Sequence, residues 1–163
     1  MPETSTKPEL LPPAALARLE ELARRYPTRE ALMLPALWMV QREHGWISTE
    51  AMQYVAKLLD VSPVRVYGVV SFYHMFHERA PGKYNIQVCQ TLSCSLLGAE
   101  KLLQHLQDTL GIAHGEVCPN GRFMVQRVEC LGACEHAPVC QINDDFVFDL
   151  TPAALDAKLA ELP

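Results

Sequence analysis

Apolar residues in the first half of the chain recur three or four positions apart, which is the spacing of one face of a helix. Residues 13–26 follow this pattern at Leu16, Leu19, Leu22 and Tyr26. Further helices are predicted over residues 28–44, 48–59 and 62–72, because Thr28, Ser48 and Ser62 are typical N-cap residues. Pro35 is expected to kink the second helix or to lie near its start. The first half is therefore predicted to be all helical.

The pattern changes after Pro81 and Gly82, a pair typical of a break between elements. Alternating apolar residues then predict strands over residues 84–89, 123–130, 139–142 and 146–148. Helices are predicted over residues 96–110 and from Thr151 to residue 162. If the first two strands are parallel, the helix between them should make a right-handed crossover.

These elements define an α+β fold class with two parts. Residues 1–12 are predicted to form a flexible tail, and residues 13–79 an N-terminal helical bundle. Residues 80–163 have the element order β-α-β-β-β-α, which suits a thioredoxin-like α/β domain. Since a bundle this small buries little core by itself, the helical region is expected to act chiefly as a docking surface.

The composition is that of a soluble globular protein, with 49% hydrophobic and 20% charged residues. A net charge of −5 argues against nucleic-acid binding, which needs a basic surface. No apolar run approaches the roughly 18 residues of a membrane span, and the N-terminus does not resemble a secretory signal. The sequence predicts a cytoplasmic protein, or one on the cytoplasmic side of a membrane. In that reducing compartment, six cysteines favour metal or redox chemistry over disulfides.

Four of the cysteines form two closely spaced pairs, Cys89 with Cys94 and Cys130 with Cys134. Each pair is predicted to begin at the C-terminal end of a strand and to continue into a loop. Parallel neighbouring strands would place both loops at the same end of the sheet, where ligands converge in α/β structures. Four thiolates on two adjacent loops could hold a metal centre.

The spacing favours a [2Fe–2S] cluster over zinc, but it leaves zinc open. Structural zinc sites typically separate neighbouring ligands by two to four residues, whereas a two-iron cluster is wider and suits longer loops. Gly132, Ser93 and Ser95 supply flexible backbone and hydrogen-bond donors, and N–H groups aimed at sulfur would stabilise a reduced cluster. A zinc-stabilised interaction module and a set of buried structural cysteines stay as alternatives.

The remaining cysteines and the histidines show weaker patterns. Cys140 lies within a predicted strand and is expected to be structural. Cys118 precedes Pro119 in a turn; it is expected to be structural too, with a redox-sensitive surface thiol as the alternative. His74 and His77 could share a helix face but lack a third ligand. The sequence contains no recognisable motif for binding NADH, flavin or ATP.

Four segments carry a resemblance to a known family: Gly45-Trp46-Ile47, VYGVVSFYHMF (66–76), GKYNIQVCQTLSC (82–94) and VECLGACEHAPVCQIND (128–144). From about residue 13 to its end, the chain resembles the thioredoxin-like [2Fe–2S] subunit of NADH:quinone oxidoreductase, respiratory complex I, known in bacteria as the NuoE family. The resemblance implies that one [2Fe–2S] cluster is bound by Cys89, Cys94, Cys130 and Cys134.

The resemblance also implies a role and partners. In this family the cluster exchanges single electrons with the FMN of a partner flavoprotein subunit, which binds and oxidises NADH. The chain would then be an oxidoreductase subunit with no catalysis of its own, beside other iron–sulfur subunits of the peripheral arm. Similar subunits serve NAD-dependent formate dehydrogenases and hydrogenases, and the sequence leaves that choice open. It also leaves open the isomer of the Ala137–Pro138 bond, although the equivalent proline of thioredoxin-like folds is often cis.

Overall fold

The computed structural model describes residues 10–163, and residues 1–9 of the predicted tail lie outside the described residues. The chain divides into a helical unit that ends at Ala80 and a sheet unit that spans Pro81–Pro163. Each unit has its own cluster of buried apolar side chains. Among the residues that are described, no helix is both long and apolar enough to cross a membrane.

The helical unit contains four α-helices and a short 3₁₀ turn at Arg29–Leu32. The helices are α1 (Pro13–Ala23), α2 (Met33–His44), α3 (Thr49–Leu59) and α4 (Pro63–Phe72). The first helix ends earlier than predicted; Pro27 disfavours a helical conformation at Tyr26. The predicted helix over residues 28–44 is divided, since Thr28 makes no side-chain cap hydrogen bond and a 3₁₀ turn precedes α2. Pro35 lies in the first turn of α2, one of its two expected positions.

The predicted starts of α3 and α4 are confirmed by their caps. Ser48 Oγ accepts the backbone N–H of Ala51 at 3.1 Å. Ser62 Oγ accepts that of Arg65 at 3.3 Å, and Pro63 occupies the first helical position. Each cap satisfies a backbone donor that the helix itself leaves without a partner.

The core of the helical unit is formed by one apolar face from each helix. Its fully buried side chains include Leu19, Leu32, Leu37, Val40, Val55 and Val66. Leu11, which falls within the predicted tail, is only 1% exposed and belongs to this core. Gln41 fastens the segment after α4, because its amide donates to the Met75 carbonyl and accepts from the His77 N–H, both at 2.8 Å.

The sheet unit contains four strands and three helices. The strands are β1 (Tyr84–Cys89), β2 (Phe123–Val128), β3 (Cys140–Ile142) and β4 (Asp145–Val147). The helices are α5 (Leu92–Leu96), α6 (Ala99–Leu110) and α7 (Pro152–Glu161). The strand order is β2-β1-β3-β4. The β1–β2 pair is parallel, as the sequence predicted, and the other two pairs are antiparallel.

Two predictions for the sheet unit are wrong in detail. The helix predicted over residues 96–110 begins only at Ala99, because Gly98 adopts a left-handed conformation with φ 104°, and the short helix α5 before it was not predicted. The strand predicted over residues 123–130 ends at Val128, so Cys130 lies beyond the sheet. The predicted cap of the last helix is confirmed, since Thr151 Oγ1 accepts the Ala154 N–H at 3.2 Å.

In the sheet unit α6 packs against β1 and β2, α7 packs against α6, and their apolar residues form one core. Its fully buried members include Ile86, Val88, Val125, Leu102, Leu106 and Leu155. β1 lies between β2 and β3, so both of its neighbours hold it in place. The end of β1 is therefore one of the best-fixed positions in this unit.

Candidate metal centre

The four paired cysteines lie at the C-terminal end of the parallel strands β1 and β2. Cys89 is the last residue of β1, and the register pairs it with Val128, the last residue of β2. Cys130 follows β2 by two residues. Cys94 lies in α5, and Cys134 begins a 3₁₀ turn at Cys134–His136. Parallel strands thus bring both segments to one end of the sheet, as the sequence predicted.

The first pair, Cys89 and Cys94, is carried by regular structure. The backbone N–H of Cys89 donates to the Val139 carbonyl at 3.2 Å, which continues the hydrogen bonding beside β1. Three residues later the chain enters α5, whose first turn is closed by the bond from Ser95 N–H to the Thr91 carbonyl at 2.9 Å. Both thiols are buried, each 2% exposed.

The second pair, Cys130 and Cys134, lies in irregular backbone and is exposed. Their Sγ atoms are 3.8 Å apart. Gly132 lies between them with φ 78°, a left-handed conformation, and its N–H points at Cys130 Sγ at 3.4 Å. The Ala137–Pro138 bond that follows is cis.

Hydrogen bonds connect the two pairs and supply donors to sulfur. The Leu131 backbone N–H, from the second segment, donates to the Cys89 sulfur, which also receives the N–H and hydroxyl of Thr91. The Ser93 hydroxyl, from the first segment, donates to Cys134. The Val139 N–H donates to Cys94. Each segment therefore donates to a sulfur of the other.

These surroundings shift the pKa values of the thiols in different directions. Burial raises the pKa of Cys89, but the hydrogen bonds from Thr91 and Leu131 outweigh it and leave the pKa below its ordinary value. Burial, together with the neighbouring Cys89, raises the pKa of Cys94. The hydrogen bond and charge of Cys130 raise the pKa of Cys134. Since iron binds thiolates, metal binding to this site must release protons.

The donor set fits a [2Fe–2S] cluster. Such a cluster takes four thiolates, two on each iron, and the structure presents two thiol pairs at one end of the sheet. Within residues 10–163, no three His, Cys, Asp or Glu side chains are grouped so as to hold a single metal ion. N–H and hydroxyl groups already point at the sulfurs, as a centre that gains negative charge on reduction requires.

The two other cysteines are buried within the sheet unit. Cys140 is fully buried in β3, and burial raises the pKa of its thiol to about 12. Cys118 is 7% exposed; its thiol donates to Asn120 Oδ1 at 2.8 Å and accepts the Phe123 N–H at 3.0 Å. The structural interpretation of both residues is therefore favoured, and the alternative of a surface thiol at Cys118 is wrong.

Comparison with known proteins agrees with this fold and with a [2Fe–2S] cofactor. The model of the thioredoxin-like [2Fe–2S] ferredoxin family matches residues 19–163, and the chain belongs to that family. It is 50% identical to an NADH-quinone oxidoreductase subunit of Thermus thermophilus over 147 residues, which are 88% of this chain and 81% of the relative. It is 46% identical to an NADH-quinone oxidoreductase subunit of Rhizobium meliloti, over 86% of this chain and 84% of the relative.

A solved structure shows the same fold over most of this chain. A chain of a NAD⁺-reducing [NiFe]-hydrogenase in the H₂-reduced state superposes with a TM-score of 0.63 at 23% identity. The match covers 95% of this chain but only 24% of that chain. The predicted family, the α+β fold class with a thioredoxin-like part and the expected [2Fe–2S] cofactor are thus confirmed.

Sequence reasoning did not find every residue that shapes the site. It named Ser93, Ser95 and Gly132 as a general source of donors, and the structure directs Ser93 and Gly132 to sulfur. The backbone donors of Leu131 and Val139 were not predicted, because a backbone N–H has no signature in the sequence. A hydrogen bond between Gln90 and Glu129 was also not predicted, although both residues adjoin a paired cysteine.

Proposed function

We propose that this chain is the electron-transfer subunit of an NADH-quinone oxidoreductase and that Cys89, Cys94, Cys130 and Cys134 hold its [2Fe–2S] cluster. The observation that carries the proposal is the meeting of two cysteine pairs at the ends of two parallel strands. The relatives that are 39–50% identical bear the name of that enzyme, which favours it over a hydrogenase or formate dehydrogenase.

The residues of the site would serve as thiolate ligands of such a cofactor or as hydrogen-bond donors to its sulfur ligands. When bound, a [2Fe–2S] cluster accepts and returns one electron at a time. Cys89 and Cys94 would hold its buried side, and Cys130 and Cys134 the side nearer to solvent. The N–H groups of Thr91, Leu131, Gly132 and Val139, and the hydroxyls of Thr91 and Ser93, stabilise negative charge on the sulfurs.

Replacing the cysteines one at a time tests the ligand set. The unsubstituted chain should contain about two irons and two acid-labile sulfides and should be red-brown. Alanine at any of the four paired positions should abolish the normal cluster. Cys118→Ala and Cys140→Ala are matched controls in the same unit and should retain it. A full cluster in Cys130→Ala would refute the assignment, and a colourless protein with bound zinc would support the interaction module.

The partner that we propose is a flavoprotein subunit that binds FMN and NADH, within a peripheral arm at the cytoplasmic face of the membrane. The helical unit offers a surface for such a partner, because Val64, Tyr67 and Phe72 of α4 are 79%, 53% and 77% exposed. Val64→Ser with Phe72→Ser should weaken co-purification with the flavoprotein while the cluster is retained. Ser71→Ala on the same helix is the control, and unchanged assembly of the double variant would place docking elsewhere.

Electron transfer from NADH should require that partner. Hydride transfer delivers two electrons and needs a cofactor that accepts both, such as a flavin. NADH-dependent ferricyanide reduction should therefore be at background level with the pure chain, and NADH should bleach the cluster only when the flavoprotein is added. Appreciable NADH turnover by the flavin-free chain would overturn the proposed role.

A further inference from the structure

Two polar residues adjoin the candidate ligands in the sequence. Gln90 follows Cys89, and Glu129 precedes Cys130. They are neighbours in space because the parallel register of β1 and β2 continues by one residue, with Gln90 N–H donating to the Val128 carbonyl at 3.0 Å. The side-chain amide of Gln90 then donates to Glu129 Oε1 at 3.1 Å. The carboxylate of Glu129 is thus held against the segment that carries the first cysteine pair.

The charge of Glu129 has no basic partner in the part of the chain that is described. The seven ion pairs found there do not include it. The nearest arginine in sequence, Arg127, pairs with Glu100 at 2.7 Å instead. No cation in the described residues therefore offsets the charge of Glu129. Its carboxylate is hydrogen-bonded instead to the neutral side-chain amide of Gln90.

A fixed negative charge opposes the addition of an electron nearby, because the reduced site is more negative than the oxidised one. We propose that Glu129 lowers the reduction potential of the cluster and that Gln90 acts as the positioning residue that keeps its carboxylate there. This inference rests on the proposed function, since it requires a cluster at Cys89, Cys94, Cys130 and Cys134.

Glu135 provides an internal comparison. It follows Cys134 directly, so it carries the same charge at the same sequence distance from a candidate ligand. Both glutamates are exposed, but only Glu129 is held by a side-chain hydrogen bond, since among residues 10–163 no hydrogen bond or ion pair to the Glu135 side chain is present. Water and salt screen the charge of a side chain that is free to extend into solvent more completely than that of one held against the protein. The effect of Glu129 should accordingly exceed that of Glu135.

The test is a redox titration of the full-length chain with its reconstituted cluster, monitored by absorbance and by electron paramagnetic resonance. Glu129→Gln should raise the midpoint potential by about 28 mV, which is about a threefold change in the one-electron equilibrium constant. Gln90→Met removes the amide but keeps the length of the side chain, and should raise the potential by less. Glu135→Gln should change it least.

Two further measurements separate charge from structure. The double variant Gln90→Met/Glu129→Gln should match Glu129→Gln alone, because Gln90 acts through the charge of Glu129. The shift should shrink as ionic strength rises, since exposed charges are screened by salt. A structural disturbance would instead persist in salt and add in the double variant.

The possible results are distinguishable. If the unsubstituted chain takes up no cluster, both the proposed function and this inference fail. If the cluster forms with a normal resonance spectrum but Glu129→Gln shifts the potential no more than Glu135→Gln, only this inference is overturned. Loss of the cluster in Glu129→Gln, with an unshifted potential in Gln90→Met, would assign Glu129 a purely structural role and would also overturn it.

Discussion

The two cysteine pairs of the candidate centre are held by different kinds of backbone. Cys89 and Cys94 lie at the end of a central strand and in a helix, and both are buried. Cys130 and Cys134 lie in a loop beyond the sheet and are exposed. The first pair is therefore positioned by the folding of the sheet unit itself, whereas the position of the second depends on local turns and on whatever the thiols bind.

Removing the iron should reveal this difference most strongly. After chelation, the Gly132 amide should exchange with solvent at least about 100-fold faster than the Cys89 amide, because local opening of a loop costs far less than opening a central strand. Within residues 10–163, the partner of Gly132 N–H is Cys130 Sγ alone, whereas Cys89 N–H donates to the Val139 carbonyl. Hydrogen exchange read by NMR measures both. Equal protection of the two amides in the iron-free chain would contradict the comparison.

Gly132→Ala should weaken the second pair alone. Gly132 has φ 78° with open space around it, so an added methyl group meets no neighbour and the cost, about 1–2 kcal/mol, comes from the left-handed backbone. The variant should lose its cluster faster to a chelator than the unsubstituted chain does. Gly121→Ala is the matched control, with φ 70° and equally open space before β2. If both variants lost the cluster at the same rate, the effect would be one of general stability.

Cysteine-to-alanine changes in the iron-free chain should separate the pairs by stability. Cys89→Ala and Cys94→Ala each remove a buried sulfur, and we expect a loss of about 1 kcal/mol in the free energy of unfolding. Cys130→Ala and Cys134→Ala alter exposed side chains and should change it by less than about 0.5 kcal/mol. Urea denaturation of the four apo variants provides the measurement, and equal losses at all four positions would contradict the prediction.

The smallest effect concerns a hydroxyl that joins the pairs. Ser93→Ala removes the donor to Cys134, so the reduced cluster loses one hydrogen bond and its midpoint potential should fall by about 10–30 mV. Ser95→Ala is the control on the same short helix, where the side chain is exposed. The redox titration described for Glu129 measures both. A fall of the same size in Ser95→Ala would show that α5 as a whole, rather than this donor, sets the potential.

The sequence predicted the regular parts of this molecule well because their signals are local. The Ser62-Pro63 start of α4, the strand Tyr84–Cys89 and the cap at Thr151 all appear where they were expected. The break at Gly98 was missed because the apolar spacing continues on both sides of it, and the short helix α5 that carries Cys94 was not predicted. Cys130 was likewise predicted to lie inside a strand, because no local signal marks the end of β2 at Val128.

The candidate site was predictable in its composition but not in its details. Parallel strands were enough to expect that the two pairs would meet, and the structure brings them together. The assignment of all four as ligands stays a prediction. The burial of one pair and the exposure of the other depend on the packing of α5 and on the loop after β2, which no local pattern records.

The long separation between the two segments has a consequence for chain entropy. Thirty-five residues lie between Cys94 and Cys130, and they include α6 and β2. A cofactor bound to both pairs would close this stretch into a ring and so restrict the unfolded chain, by about 3 kcal/mol for a loop of this length. Cofactor binding would then stabilise the folded sheet unit. Chains without the cofactor would unfold more readily and become the preferred targets of proteases.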